Sequence, residues 1–276
     1  MGQQIESGNV VVAVDGSPHA DRAVGWAARQ AHLERRGLVV AAAGDGAPAI
    51  AEHAMELALG THPELAVRPV CASADPRRML LDMSAAAHLL VMGSRGRGAM
   101  RSILLGSVSA AVSAHAACPV VVCRPPVSRQ AGYGVVVGAD GSSQSRPVIE
   151  FAYRFAALHG LPLTVLHCFW DAVAAVAAYR EARGRTVDAP DLEELRALLS
   201  ESVAGFAEQF PDVAVSLELT HGLADESLAP RNRAWDLVVV GRHPMTRLDR
   251  VITGSIATSV VERSSGTVAV VPEITT

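Results

Sequence analysis

The chain repeats itself. VVVAVDGSPHADRAVGWAARQA (residues 10–31) returns as VVVGADGSSQSRPVIEFAYRFA (135–156), so that Asp15 answers to Asp140 and Trp26 to Phe151 at a constant offset of 125. LLVMG (89–93) returns as LVVVG (237–241) and PVVVC (119–123) as TVAVV (267–271), now at an offset of 148. An internal duplication fixes the architecture before any single element is read. Two copies of one α/β domain are fused head to tail, as residues 1–126 and 133–276. The prolines of the 125–132 stretch extend the chain between them. The second copy carries 23 extra residues between its first and fourth strands. They fall in the 171–200 region, where DAVAAVAAYREAR and DLEELRALLSESVAGF read as helical.

Within the first copy, apolar runs alternate with helical stretches. Asn9–Val14, Leu38–Ala43, Leu65–Cys71, a run ending at Gly93, and Pro119–Arg124 read as strands. Helices are expected from Pro18, over 47–59 and 76–87, and from Ser107. Continuous β-branched runs suit strands covered on both faces, and strand–helix alternation implies right-handed crossovers in a parallel sheet. Half of the 276 residues are hydrophobic, enough for two cores.

Composition removes several functions. A net charge of −4 gives no broad attraction to nucleic acid or to an anionic membrane, so neither is expected as a partner. No apolar run approaches membrane-spanning length and no signal-peptide pattern opens the chain, so the expected location is cytoplasmic. All 24 positive residues are arginine, and without lysine there is no Walker A loop and no Schiff-base chemistry. Four scattered cysteines make no disulfide framework and are expected as buried, reduced thiols. Ten histidines without metal-ligand spacing give no expected metal site.

The stretch that carries chemistry is VMGSRGRGAMRSILLGSVSAAV (91–112). A buried strand empties into a glycine-rich loop, and a helix opens on Ser107. Glycines allow backbone N–H groups to approach an anion or to adopt positive φ. A serine at the helix start offers a cap and a hydroxyl, and the helix N-terminus attracts negative charge. Arg95, Arg97 and Arg101 lie in the same loop, either as charge partners for phosphate or as solvated surface.

The spacing G-x2-G-x9-G-S resembles that of the ATP-binding subgroup of the universal stress protein family, and the resemblance extends over nearly the whole chain. It implies two tandem Rossmann-like (adenine nucleotide α-hydrolase-like) domains, each an open five-stranded parallel sheet of order 3-2-1-4-5 with helices on both faces. It implies ATP, with Mg2+, at the carboxyl ends of strands one and four, where strand order reverses. Asp15 would contact the adenosine with Ala13 on the same edge, and Ala43 would offer backbone groups to adenine. Met92, Gly93 and Gly96 would wrap ribose and phosphate, with Arg97 as a phosphate partner. Gly106, Ser107 and Val108 would donate to the terminal phosphates. Asp15 also reads as an Asx-turn residue that needs no ligand.

The second copy departs from the pattern. Gly241, Gly254 and Ser255 keep their places, but Pro244 replaces the second glycine, fixing φ and removing an N–H. His243, with Arg242 and Arg247, could compensate or could be loop surface. The matching base-side residues are Gly138, Asp140 and Cys168, and nucleotide binding by this half stays open. His88 stands where the resemblance leads one to expect Asp, which Asp236 keeps, and it reads as structural. The leading expectation is a nucleotide-dependent stress-response regulator, not an enzyme, with at most slow hydrolysis. Its fifth strands, Val120–Cys123 and Val268–Val271, are expected to pair within one chain, and a homodimer is possible on the same logic. The alternative is an interaction module with vestigial sites. A PP-loop pyrophosphatase would need an SGGxDS-type loop that Asp15-Gly16-Ser17-Pro18 does not supply.

Overall fold

Valines set the strands. Val10, Val11 and Val12 are fully buried in β1 (Val10–Val14), as are Leu38–Val40 in β2 (Leu38–Ala43) and Leu90–Val91 in β4 (Leu89–Gly93). A run buried on both faces belongs to the interior of a covered parallel sheet. The computed structural model describes residues 8–96, 105–125, 132–169, 192–230, 234–242 and 256–273. The chain divides into two units, Met1–Arg129 with Val261–Pro272, and Gln130–Val260 with Glu273–Thr276.

The first unit adds β3 (Val67–Ala72) and β5 (Val120–Cys123), giving the order β3-β2-β1-β4-β5, all parallel. β3 begins two residues later than the sequence suggests and contains Pro69, which a strand at the end of the order tolerates. Helix α1 (Pro18–Leu33) starts under a Ser17 cap whose Oγ accepts from the Ala20 amide, with Pro18 in the first turn. Its buried stripe of Ala23, Ala27 and Ala31 is small enough to let the helix lie close on the sheet, while Trp26 is only half-buried. Helix α2 (Ala47–Thr61) follows Gly46, whose φ of 80° calls for glycine. Asp75 caps α3 (Pro76–Ser84), which stops three residues short of the expected end because Ala86 and Ala87 turn back onto the Met83 carbonyl. Helix α4 spans Ser107–His115.

The second unit holds β6 (Val135–Gly138), β7 (Leu163–Phe169), β8 (Val215–His221) and β9 (Leu237–Arg242), in the parallel order β8-β7-β6-β9. A 3-10 turn (Ser143–Ser145) leads into α5 (Arg146–His159), and α6 (Leu192–Gln209) and α7 (Ala224–Leu228) follow. The DLEELRALLSESVAGF helix is present from Leu192 as α6, and the DAVAAVAAYREAR stretch lies outside the described residues. Where α1 uses alanine, α5 buries Tyr153, whose ring stacks on Phe206 (5.4 Å) and Phe210 (5.8 Å) of the α6 side. Each sheet thus carries the expected order, strand by strand, as far as strand four. Helix α8 (Ile256–Arg263) then leads to β10 (Val268–Pro272), which is grouped with the first unit. There it runs antiparallel to β5, with Ala269 opposite Val121.

Two structural details settle smaller expectations. His88 is an ion-pair partner: its Nε2 lies 2.7 Å from Glu34, which also accepts from Gln30 (2.7 Å) and Arg36 (3.2 Å). Burial alone would raise the Glu34 pKa, but the hydrogen bonds from His88 and Gln30 outweigh it and hold the carboxyl below its usual range. Asp236, at the equivalent place in the second copy, accepts from the Gly134 amide at 2.9 Å instead. The expectation of four buried thiols needs correction, since Cys71 is exposed on an outer strand and Cys168 half-buried. Cys118 and Cys123 are buried, and burial pushes the Cys123 thiol up to about 12. No helix among the described residues is long and apolar enough to cross a membrane.

Candidate functional site

β1 pairs β4 from Val10 opposite Leu89 to Ala13 opposite Met92, so the turns that leave these strands open side by side. A cavity of about 550 Å³ lies there, in the range of small-molecule sites. Ala13, Asp15, Ala43, Met92, Gly93, Gly96, Gly106, Ser107 and Val108 all line it. Arg97, like Arg101, lies outside the described residues. The structure adds lining that the sequence reading did not name. Ile50 from α2, with Pro76, Met79 and Leu80 from α3, forms an apolar wall, and Asp45 and Arg95 add charge. The wall residues carry no motif and lie in stretches that the sequence marks only as helical.

None of Gly93, Gly96 and Gly106 adopts positive φ, and close approach bears on the first two. A Cβ on Gly93 would lie 2.8 Å from the backbone carbonyl of His19, where the first turn of α1 crosses the end of β4. A Cβ on Gly96 would lie 2.5 Å from Asp15 Oδ2. At Gly106 a Cβ would meet only ordinary contacts beyond 3.5 Å, so packing does not require glycine there. Both readings of Asp15 hold in one geometry. Its Oδ1 accepts from the Ser17 amide at 3.0 Å, which is the Asx turn, and the residue still fronts the cavity.

Helix α4 begins at Ser107 as expected, but its cap differs. Gly106, not Ser107, is the cap residue, and no side chain caps the helix. The Gly106 amide is already donated to the Ser94 carbonyl at 2.8 Å, so it is not available to a phosphate. Ser107 and Val108 open the helix, and first-turn amides have no partner within it. The Ser107 hydroxyl accepts from Arg77 at 3.3 Å. Arg77 comes from α3, far from the loop in sequence, so no motif pointed to it. Around Arg95 the surroundings are cationic: burial, Arg22 and Arg95 hold His19 below the usual imidazole range, and burial and Arg95 lower Arg124.

In the second unit, side chains crowd the glycines at the matching positions. Leu228 of α7 packs against Gly138, so that even a Cβ there would sit 3.0 Å from its Cδ1. Leu198 of α6 covers Gly141, the residue after Asp140. The Glu273 carboxylate lies against Gly241, the counterpart of Gly93, placing negative charge where a phosphate loop would begin. Asp140 keeps its Asx turn to the Ser142 amide at 2.9 Å. Burial raises the pKa of Cys168, whose side chain is hydrogen-bonded to Ser227. His243, Pro244, Arg247, Gly254 and Ser255 lie outside the described residues.

Fold and cleft together define a class, an open α/β sheet with a cavity at the switch point of strand order. A family model described as the universal stress protein family matches residues 40–124 and 134–272. A universal stress protein of Mycolicibacterium smegmatis is 31% identical over 95% of this chain and 96% of its own. One from Mycobacterium tuberculosis (strain H37Rv) is 30% identical over 98% and 99%. The crystal structure of a universal stress protein from Archaeoglobus fulgidus shares the fold, with a TM-score of 0.64 at 19% identity over 97% of both chains. The chain belongs to the universal stress protein family.

Proposed function

We propose that the first unit binds ATP in the β1–β4 cleft and that the chain acts in the cytoplasm as a nucleotide-dependent stress-response regulator. The observation that carries this reading is one cavity, at the ends of β1 and β4, whose lining joins apolar side chains to the first turn of α4 and to Arg95. Ile50, Met79 and Leu80 offer a flat apolar wall to a purine, beside the backbone of Ala43. Asp15 lines the same cavity and offers its carboxylate to a ribose hydroxyl. The first-turn amides of Ser107 and Val108, the Ser107 hydroxyl, Arg95 and Arg77 face the phosphates. Magnesium would arrive with the triphosphate, because Asp15 and Asp45 are too few for a protein cage.

Turnover is proposed to be slow at most. The lining residues include no histidine, cysteine or lysine, and one of the two carboxylates is committed to the Ser17 amide. The two copies are proposed to pair through β5 and β10, a reading supported by the antiparallel register of Val120–Val122 with Val268–Val270. That pairing is also what an interaction module would need, and it favours assembly as a second role beside nucleotide binding.

Gly96→Ala separates binding from folding. The added methyl displaces the flexible end of Asp15, not backbone, so the melting temperature is expected to change little. In a titration with ATP and Mg2+, affinity is expected to fall about ten-fold or more, the cost of misplacing a charged hydrogen-bonding group. Unchanged affinity would remove Asp15 and this loop from the site.

A further inference from the structure

We propose that His32, His62 and Glu64 form a binding site for a first-row divalent transition metal, with zinc as the type ion. The three come from separate places. His32 lies in the last turn of α1, His62 caps the end of α2, and Glu64 sits in the turn before β3. Because these helices run opposite to the strands they join, the cluster lies at the far end of the sheet from the nucleotide cleft, and the inference does not depend on that cleft.

Two imidazoles converge on one carboxylate oxygen. Glu64 Oε1 lies 2.7 Å from His32 Nδ1 and 3.9 Å from His62 Nδ1. The rings stack with centroids 4.6 Å apart and planes 21° from parallel, so both already point the same way. One ligand atom from each residue lies within 4.8 Å of the others. Tetrahedral zinc with bonds near 2.0–2.2 Å holds its donors roughly 3.4 Å apart, so a small closing movement completes the shell. Two histidines and a glutamate leave a fourth position to water. The ligands' side chains are 22–59% exposed, so an ion can enter without opening the fold.

A plain ion pair does not account for the arrangement. His32 with Glu64 would suffice for one, and an exposed pair contributes little. The second ring, stacked on the first and turned toward the same oxygen, is what a cation would use. His62 is held for this by backbone, its amide bonded to the Ala58 carbonyl and its carbonyl accepting from Leu65. His-x-Glu with a histidine 30 residues upstream is no recognised ligand spacing, so no motif singled it out.

The test uses the full-length protein, stripped with chelator and titrated with zinc chloride alone. One zinc per chain by native mass spectrometry, with a raised melting temperature, is expected. His32→Gln, His62→Gln and Glu64→Gln should each lower zinc affinity by about ten-fold or more, since even outer-shell partners of a metal cost that much. His115→Gln, at an exposed histidine of α4, should leave it unchanged. Copper(II) bound to the wild type should show two nitrogen couplings by electron paramagnetic resonance, a reading that needs no variant. Absence of zinc uptake at micromolar concentration, survival of binding in His62→Gln, or fewer than two nitrogens on copper would overturn the proposal.

Discussion

Truncation after Thr267, which removes β10, is expected to be the most damaging single change to the first unit. Val268, Val270 and Val271 are 0–3% exposed, and burying a valine contributes about 1.5–3 kcal/mol. Losing three approaches the whole stability of an ordinary domain, about 5–15 kcal/mol. The loss is compounded at β5, whose Val120–Val122 would be left as an uncovered apolar edge open to pairing with other chains. Urea unfolding and sedimentation of the truncated chain measure both effects. Aggregation, or a large drop in the urea midpoint, is the expected result. A soluble truncation that unfolds like the full chain would mean that the β5–β10 pairing contributes nothing to the fold.

Gly93→Ala is expected to be the second most damaging change and to act differently from Gly96→Ala. At Gly93 the methyl meets the His19 carbonyl carbon and oxygen at 2.8 Å, inside the first turn of α1, and backbone cannot rotate away as a carboxylate can. Forcing α1 off the end of β4 should cost about 1–3 kcal/mol. For a unit of this size that corresponds to a fall of roughly 2–10 °C in melting temperature. Nucleotide binding should fall with it, because the same shift moves Asp15 relative to the start of α4. A melting temperature equal to that of the wild type would show that the close approach is not a constraint.

The strands were legible because the duplication repeated each signal, and their order followed from the family resemblance. A run such as Val10–Val14 has few alternatives once it returns 125 residues later before the same Asp-Gly-Ser. The G-x2-G-x9-G-S spacing, kept whole only in the first copy, pointed to Gly93, Gly96 and Gly106, which line the cleft. What stayed hidden depends on tertiary contact. Nothing near Leu80 or Met79 marks them as a wall, since a helix buries such residues whether or not a cavity lies above them. Arg77 reaches Ser107 across 30 residues of chain. The reading of the second copy turned on Pro244, which lies outside the described residues, whereas among those described Leu228 and Glu273 crowd Gly138 and Gly241. A side chain that fills a pocket looks in sequence like any other core or surface residue. The cap of α4 was misplaced by one residue because serine's preference for that position is strong, yet the Gly106 amide bond to Ser94 sets the helix start.

Each chain is proposed to carry one working nucleotide site, in the first unit. Native mass spectrometry of the purified protein, with acid release and chromatography of whatever it carries, tests it most directly, and the intact mass also reads whether two chains associate. One ATP per chain, present on purification or taken up with added ATP and Mg2+, is the expected result. Two per chain would show that Leu228 and Glu273 give way and that the second cleft opens. None, even with ATP and Mg2+ in excess, would contradict the account and leave assembly through β5 and β10 as the function to pursue.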